Sequence, residues 1–278
     1  MKISKTKLNE TLKFVQDISY DAGEILLKYQ KKRQTLAIKD KGREGIASEA
    51  DLKSEEFIIS AIQEKFPKHY ILSEENKSKG IKESQKAEYA WVIDPLDGTN
   101  NFVNGIPIFA TSIALLEKGR PILGVVYNPS SGECFFASKG NGAYLIDFRI
   151  NPLKKFHLDN KENKKEMREC IFSPAPVYEI EDRFERQLST FRKNIIGARA
   201  VRRLGSAALE LCYVANGNFD AYWEKNLKPW DVAAADIICR ESGIKITEFS
   251  GNPFSPFKDS VIAAARPLHG RILGKIQK

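Results

Sequence analysis

The feature that most constrains this chain is a change of hydrophobic period along its length. Leu8, Leu12, Val15, Ile18, Ala22, Ile25, Leu26 and Tyr29 recur at spacings of three and four, the stripe of one amphipathic helix over residues 8–30. Residues 50–65 repeat that period, and Pro67 stops the second helix. A short strand, HYIL, follows; then a polar stretch, NKSKGIKESQKAE, that reads as a mobile surface loop; then a buried strand, YAWVI. Over residues 108–148 the period changes to strand-length runs bounded by Gly, Pro or Asn, which predict an antiparallel meander. Beyond a lysine-rich stretch at 151–169 the elements alternate. Strand ECIFSPA leads to helix 181–193, strand ARAVRR to helix 205–216, and strand FDAYWE to helix 231–242; strands GIKIT and VIAAA and a final helix close the chain. The pattern predicts an α+β half, residues 1–150, with an antiparallel sheet, and an α/β half, residues 151–278, together forming layers of helices and sheets.

Composition removes several classes. A chain of 278 residues with 42% hydrophobic and 29% charged residues fits an ordinary globular protein and not a disordered one. No apolar run reaches the roughly 18–20 residues of a bilayer span. The opening MKISKTKLNE has lysines but no apolar core behind them, so no secretory signal is expected. Cys134, Cys170, Cys212 and Cys239 lie far apart with no CxxC pair, which predicts reduced, mostly buried thiols in a cytoplasmic setting. Only His69, His157 and His269 are available, too few for a polyhistidine metal site, so the chemistry must rest on carboxylates. The net charge of +8 invites a nucleic-acid reading, but the lysines are dispersed among acids. The densest cluster, Lys31-Lys32-Arg33, ends a helix, where cations complement the carbonyl end. Nucleic acid is therefore not the expected partner, whereas an anionic small molecule would be welcome.

The sharpest local feature is Asp94-Pro95-Leu96-Asp97-Gly98-Thr99-Asn100-Asn101-Phe102. An apolar strand delivers Asp94 to a sheet edge, and Pro95, lacking an N–H, stops the ladder. One turn can then bring Asp97 beside Asp94. Two carboxylates held that close repel unless they share a proton or a cation, and oxygen-only ligation suits Mg²⁺. Gly98 permits close backbone approach, and the N–H groups of Gly98 and Thr99 could cradle a phosphate. A bare DxxD is more often an Asx-type turn that caps a helix. The full string is far rarer.

This string resembles the D-P-[IL]-D-G-T-x-N-F signature of the inositol monophosphatase family, Mg²⁺-dependent, lithium-sensitive phosphatases. Ser73-Glu74-Glu75 is similar to the family's [GS]-E-E, Trp230-Asp231-Val232-Ala233-Ala234-Ala235 to W-D-x-A-A-G, and Ala47-Ser48-Glu49-Ala50-Asp51 to the stretch that opens the second helix. Arg203-Leu204-Gly205-Ser206-Ala207-Ala208 resembles R-x-G-[ST]-A-A. The resemblance spans roughly residues 8–265 and implies a layered αβαβα sandwich. It also implies hydrolysis of a phosphate monoester with two to three Mg²⁺ ions and no covalent intermediate. Glu74, Asp94 and the Leu96 carbonyl would hold the first ion; Asp94, Asp97 and Asp231 the second; and Glu74 a weaker third. Glu74 and Thr99 would orient the attacking water, with Asp51 beside them in the catalytic set. Gly98, Thr99, Gly205, Ser206, Ala207 and Glu224 would contact substrate. Without the resemblance, Asp231 reads as a helix N-cap and Glu74 as a surface acid, while Asp51 reads equally as a first-turn acid and Glu224 equally as a strand-end surface acid.

Asn100-Asn101-Phe102 and Glu224 resemble the inositol monophosphatase type, which implies inositol 1-phosphate as the substrate; the family resemblance as a whole, and no particular residue, implies a homodimer. Ala235 and Ile244 replace usual glycines, and Phe172-Ser173-Pro174-Ala175 departs from the pattern where the family contacts substrate. Three readings therefore stand: an inositol-1-phosphate phosphatase; a phosphatase in the same fold for 3′(2′),5′-bisphosphate nucleotides, fructose-1,6-bisphosphate or histidinol phosphate; and a basic regulator that binds RNA or a protein.

Overall fold

A computed structural model describes residues 3–40, 46–76, 80–150, 152–160, 162–163, 165–175 and 184–277. Helix α1 (Lys5–Gln30) begins where Ser4 accepts a hydrogen bond from the Lys7 N–H, and buries the predicted stripe at Leu8, Val15, Ile18, Ala22 and Leu26. The pair β1 (Ile38–Asp40) and β2 (Ile46–Ser48) leads into α2 (Glu49–Lys65), which ends at Phe66, the residue before Pro67. Next come β3 (Tyr70–Ser73), α3 (Ile81–Lys86) and β4 (Tyr89–Asp97). The turn α4 (Thr99–Val103) precedes the meander β5 (Ala110–Glu117), β6 (Arg120–Asn128), β7 (Glu133–Ser138), β8 (Ala143–Asp147) and β9 (Lys155–Leu158). These strands form a seven-stranded sheet in the order β3-β4-β5-β6-β7-β8-β9, antiparallel except at the β3 edge, where β3 lies parallel to β4.

Two details differ from the sequence reading. The polar stretch expected to be a loop carries α3, started by the left-handed Gly80 and seated on the fully buried Ser84, whose hydroxyl donates to Ile81 O. Its low hydrophobicity hid it, because a single turn needs only one buried residue; positions 77–79 lie outside the described residues. In addition, β9 adds an edge strand to the first sheet from within the lysine-rich 151–169 stretch, carrying that sheet past residue 150.

The rest of the chain supplies β10 (Glu162–Asn163), β11 (Ile171–Pro174), α5 (Phe184–Ile195), β12 (Ala200–Val201), α6 (Ala207–Ala215), β13 (Ala221–Lys225) and α7 (Pro229–Glu241). Last come β14 (Lys245–Thr247), β15 (Ser260–Ala264), β16 (Arg266–Pro267) and α8 (Leu268–Ile276). The second sheet runs β12-β11-β13-β15-β14, and β10 pairs in parallel with β16. Of the predicted strand ARAVRR only Ala200-Val201 pairs, and of helix 181–193 residues 181–183 lie outside the described residues.

The packing gives the αβαβα order directly. Trp91, Ile93, Ile113, Leu115 and Val125 cluster with Val15, Ile18, Ile58 and Ile62 of α1 and α2 on one face of the first sheet. Val92, Ala114, Leu116 and Val126, on the opposite face, share a core with Leu209 and Leu211 of α6 and with Ala233, Ala234 and Ile238 of α7. That same core reaches Tyr222, Ile246, Val261 and Ala263 of the second sheet. The second sheet's outer face packs Phe172, Trp223 and Ile262 against Leu268 and Ile272 of α8. The α6/α7 layer thus lies between two sheets and must be apolar all round, which is why its residues read as a nearly unbroken hydrophobic run. Close approach is built in at Gly124 of β6, where a Cβ would stand 2.4 Å from the Ala234 carbonyl oxygen.

Candidate active site

Strand alternation aims the first carboxylate. Ala90 and Val92 of β4 face the α6/α7 layer and Trp91 and Ile93 face α1 and α2, so Asp94 continues the inward-facing series at the strand's end. Asp94 lies opposite Ser112, whereas Asp97 lies opposite Ala110, a slip in register centred on Pro95. The slip folds the chain back: the Leu96 N–H donates to Asp94 Oδ1 at 3.0 Å. Gly98 then takes φ +91°, and a Cβ there would meet Ile108 O at 3.0 Å and Gly205 O at 3.3 Å. Glycine is required on both counts.

Three further acids arrive from separate elements. Glu74 follows β3, and its N–H donates to Ile93 O at 3.2 Å, which seats it beside Asp94. Asp231 lies in the first turn of α7, where its Oδ2 accepts from the Lys228 N–H at 2.7 Å. The Ser112 hydroxyl donates to Trp230 O at 3.3 Å and ties that helix start to the strand opposite Asp94. Asp97 uses Oδ2 to accept from Ser206 Oγ at 2.6 Å and from the Ala208 N–H at 2.9 Å, at the start of α6. Glu74, Asp94, Asp97 and Asp231, with Leu96, Gly98, Thr99 and Gly205, line a cavity of about 180 Å³.

No Lys, Arg or His is among the described lining residues of that cavity. Burial is the largest cause that raises the Asp94 carboxyl well above its ordinary range, and repulsion from Glu74, Asp97 and Asp231 adds to it. Asp231 is raised likewise, by burial and then by Asp97, Glu74 and Glu224, against the lowering effect of the Lys228 N–H. Burial lifts Asp97 to about 7 despite its bonds from Ser206 and Ala208. Carboxylates are therefore concentrated in a cavity whose described lining carries no basic side chain.

One side of the cavity is braced by α2. Ser48 and Asp51 form a reciprocal cap: the Ser48 N–H and hydroxyl donate to Asp51 Oδ2 at 2.7 and 2.6 Å. The other oxygen, Asp51 Oδ1, lies 3.0 Å from the Thr99 hydroxyl, which is also 3.1 Å from Leu96 O. Burial raises Asp51 to about 6. Sequence reasoning missed two neighbours on the same helix face. Ser54 Oγ donates to Pro95 O at 2.9 Å, and Glu55 Oε1 accepts from the N–H groups of Glu75 and Asn76 at 3.1 and 3.2 Å, fixing the turn that carries Glu74. The signal was present: Asp51, Ser54, Glu55, Ile58 and Ile62 share one buried helical stripe, and polar residues heading such a stripe have a polar partner to meet.

The expected substrate contacts divide. Gly98, Thr99 and Gly205 line the cavity; Ser206, Ala207 and Glu224 are not among its described lining. Ser206 spends its hydroxyl on Asp97, and Ala207 is the first residue of α6. Glu224, on β13, accepts a short hydrogen bond from the Tyr222 hydroxyl and lies 3.7 Å from the Arg203 guanidinium. Burial lifts its carboxyl to about 7. Its field reaches Asp231, so it stands at the edge of the same acidic region.

The donor set fits a hard divalent cation. All candidate ligands are oxygens, and their mutual repulsion is what a cation would relieve. Among the described residues no three acidic, histidine or cysteine side chains converge tightly enough to chelate an ion alone. Mg²⁺ suits that arrangement, because it keeps waters and takes phosphate oxygens as part of its shell.

Comparison with known proteins agrees with this architecture. The model of the inositol monophosphatase family matches residues 7–278. A Pasteurella multocida protein named Nus factor SuhB is 36% identical over 270 residues, 97% of each chain. A Mesorhizobium japonicum inositol-1-monophosphatase is 32% identical over 267 residues, 96% of this chain and 93% of its own. The crystal structure of the extragenic suppressor protein suhB from Bartonella henselae superposes with a TM-score of 0.86 at 31% identity, covering 97% of this chain and 99% of that one. With the layered fold and the carboxylate-lined cavity at its sheet edge, these matches show that the chain belongs to the inositol monophosphatase family.

Proposed function

We propose that this protein is a Mg²⁺-dependent phosphate monoester hydrolase whose substrate is inositol 1-phosphate. The observation that carries the reading is that Glu74, Asp94, Asp97 and Asp231 all line one small cavity with no basic group in its described lining. Glu74, Asp94 and the Leu96 carbonyl would hold a first Mg²⁺, and Asp94, Asp97 and Asp231 a second, with Glu74 shared by a weaker third. Bound Mg²⁺ supplies an acidified water as nucleophile and neutralises charge on the leaving alkoxide. Glu74 and the Thr99 hydroxyl orient that water, and Asp51 holds Thr99 in place through its Oδ1 contact at 3.0 Å. The N–H groups of Gly98 and Thr99, with the Gly205-Ser206-Ala207 turn, receive phosphate oxygens, and no side chain is phosphorylated. Glu224 accepts hydrogen bonds from vicinal hydroxyls of the polyol, exchanging them for its bond from Tyr222.

On the same family ground the reading includes lithium inhibition and a homodimer. A cytoplasmic setting is consistent with Cys134, Cys170, Cys212 and Cys239 all being free and buried. A second reading, a regulator that binds RNA or protein, draws support from the net charge of +8 and from the name Nus factor carried by the Pasteurella multocida relative. Phosphate release from inositol 1-phosphate, adenosine 3′,5′-bisphosphate, fructose-1,6-bisphosphate and histidinol phosphate, each with Mg²⁺ and with EDTA, tests the proposal. The expected result is EDTA-sensitive release, fastest from inositol 1-phosphate. Faster release from another ester discards the substrate, and no release from any discards the hydrolase.

A further inference from the structure

Glu210 is a buried carboxylate, 3% exposed, that none of the roles above uses. It sits on α6, one turn beyond Ser206. Its Oε1 accepts from the Leu204 N–H at 2.8 Å and, through a short hydrogen bond, from the Ser173 hydroxyl at the end of β11. Leu204 is gripped from the other side as well. Its carbonyl accepts from Asn101 Nδ2 at 2.6 Å, and the same amide donates to Ile108 O at 2.8 Å. Gly205 follows with φ +79°, and a Cβ there would press on the Asn101 side chain at 3.3 Å. Across the cavity, Gly205 O stands 3.3 Å from where a Gly98 Cβ would be.

We propose that Glu210 is a positioning residue for substrate binding, which holds the Leu204 N–H while Asn101 holds the Leu204 carbonyl, and so sets the gap between the Gly98-Thr99 turn and the opposite loop. The inference rests on the phosphatase reading for its consequence and on the hydrogen bonds alone for its geometry. It also gives a role to Ser173 in the segment where this chain departs from the family pattern: the hydroxyl is engaged with Glu210 and Arg202 O, at 3.1 Å from the latter. A buried acceptor of this kind is costly to remove, because its loss takes the partner from the Leu204 N–H and leaves the Ser173 hydroxyl only Arg202 O. Glutamine keeps an acceptor oxygen in the same place, and leucine does not.

Two measurements on the full chain test this. The first is hydrogen exchange of the segment around Leu204 in wild type, Glu210→Gln, Glu210→Leu and Ser173→Ala. The expected result is protection at the Leu204 amide lowered at least tenfold in Glu210→Leu and retained within threefold in Glu210→Gln. The second is steady-state kinetics of Mg²⁺-dependent phosphate release on the best ester of the panel. The expected result there is a KM at least fivefold higher in Glu210→Leu with kcat within threefold, because the hydrogen bonds Glu210 accepts come from Leu204 and Ser173 and not from Glu74, Thr99 or Asp51, and near wild-type KM in Glu210→Gln. Unchanged protection and unchanged KM in Glu210→Leu overturn the proposal, as does an equal loss in both Glu210 variants. If Glu210→Leu does not fold, Ser173→Ala replaces it, with a KM raised at least twofold expected and an unchanged KM contradicting the clamp. Failure of wild type to release phosphate overturns the phosphatase reading instead, and the exchange experiment still decides the geometry.

Discussion

At the scale of single residues, the site stores unfavourable charge. Asp94 is 2% exposed and flanked by Glu74, Asp97 and Asp231, and both burial and repulsion disfavour its ionised form. Asparagine is nearly isosteric and can still accept from the Leu96 N–H, so Asp94→Asn removes repulsion while keeping the fold. Without metal this variant should be more stable than wild type by about 1 kcal/mol, or roughly 2–4 °C in Tm for a chain of this size. Thermal unfolding in EDTA checks it, and the rise in Tm that Mg²⁺ gives wild type should be lost in the variant. Much of this was legible in the sequence, because the DxxD spacing and the proline lie within one short segment. Glu55 and Glu210 were not, since their partners are backbone N–H groups of Glu75, Asn76 and Leu204, contacts that exist only once distant segments have packed.

At the scale of elements, the site depends on how closely α7 approaches the first sheet. Ala114, Gly124 and Ala137 make a shallow trough, and the Ala233-Ala234-Ala235 run of α7 lies in the same core. Gly124→Ala places a methyl 2.4 Å from the Ala234 carbonyl oxygen, so α7 must retreat and carry Asp231 with it. The expected cost is about 1–3 kcal/mol of stability from overpacking, read as a lower Tm, with weaker Mg²⁺ binding and so half-maximal activity at a higher Mg²⁺ concentration. The long helices and the meander were readable because each buries a face with a clean period. Helix α3 and strand β9 were not, because a six-residue helix resting on Ser84 and an edge strand with residues 155–157 exposed carry almost no apolar pattern. The order of layers likewise follows from sequence only in part: the all-round apolar character of α6 and α7 signals a central position, but which sheet lies on which side is a tertiary fact.

At the scale of the whole molecule, the raised carboxyls make stability depend on pH in a direction that can be worked out. In the metal-free protein Asp51 and Asp236 titrate near 6 and Asp97 and Glu224 near 7, all above their unfolded values. Between the unfolded and folded values the folded state binds more protons, so these groups remove stability as pH rises. His269 opposes them: burial lowers it to about 4, and stability from that group grows as pH rises towards 6.5. From pH 5.5 to 8 a single histidine spans one pH unit of that rise, whereas several carboxyls lose over the window, so the carboxyls dominate. The EDTA-treated protein should therefore melt at lower temperature at pH 8 than at pH 5.5. Excess Mg²⁺ should raise Tm more at pH 8, because the cation favours the ionised forms. Equal Mg²⁺ increments at both values would mean that the raised carboxyls among the proposed ligands, Asp94, Asp97 and Asp231, do not hold the ion.

The central claim, that this acidic cavity is a Mg²⁺-dependent phosphatase centre, is tested most directly by phosphate release from inositol 1-phosphate across a Mg²⁺ titration, with wild type and Asp94→Asn side by side. The account predicts saturable, EDTA-reversible turnover by wild type and at least a thousandfold loss in Asp94→Asn at every Mg²⁺ concentration. Release that persists in EDTA, or an Asp94→Asn variant that turns over within tenfold of wild type, would contradict it.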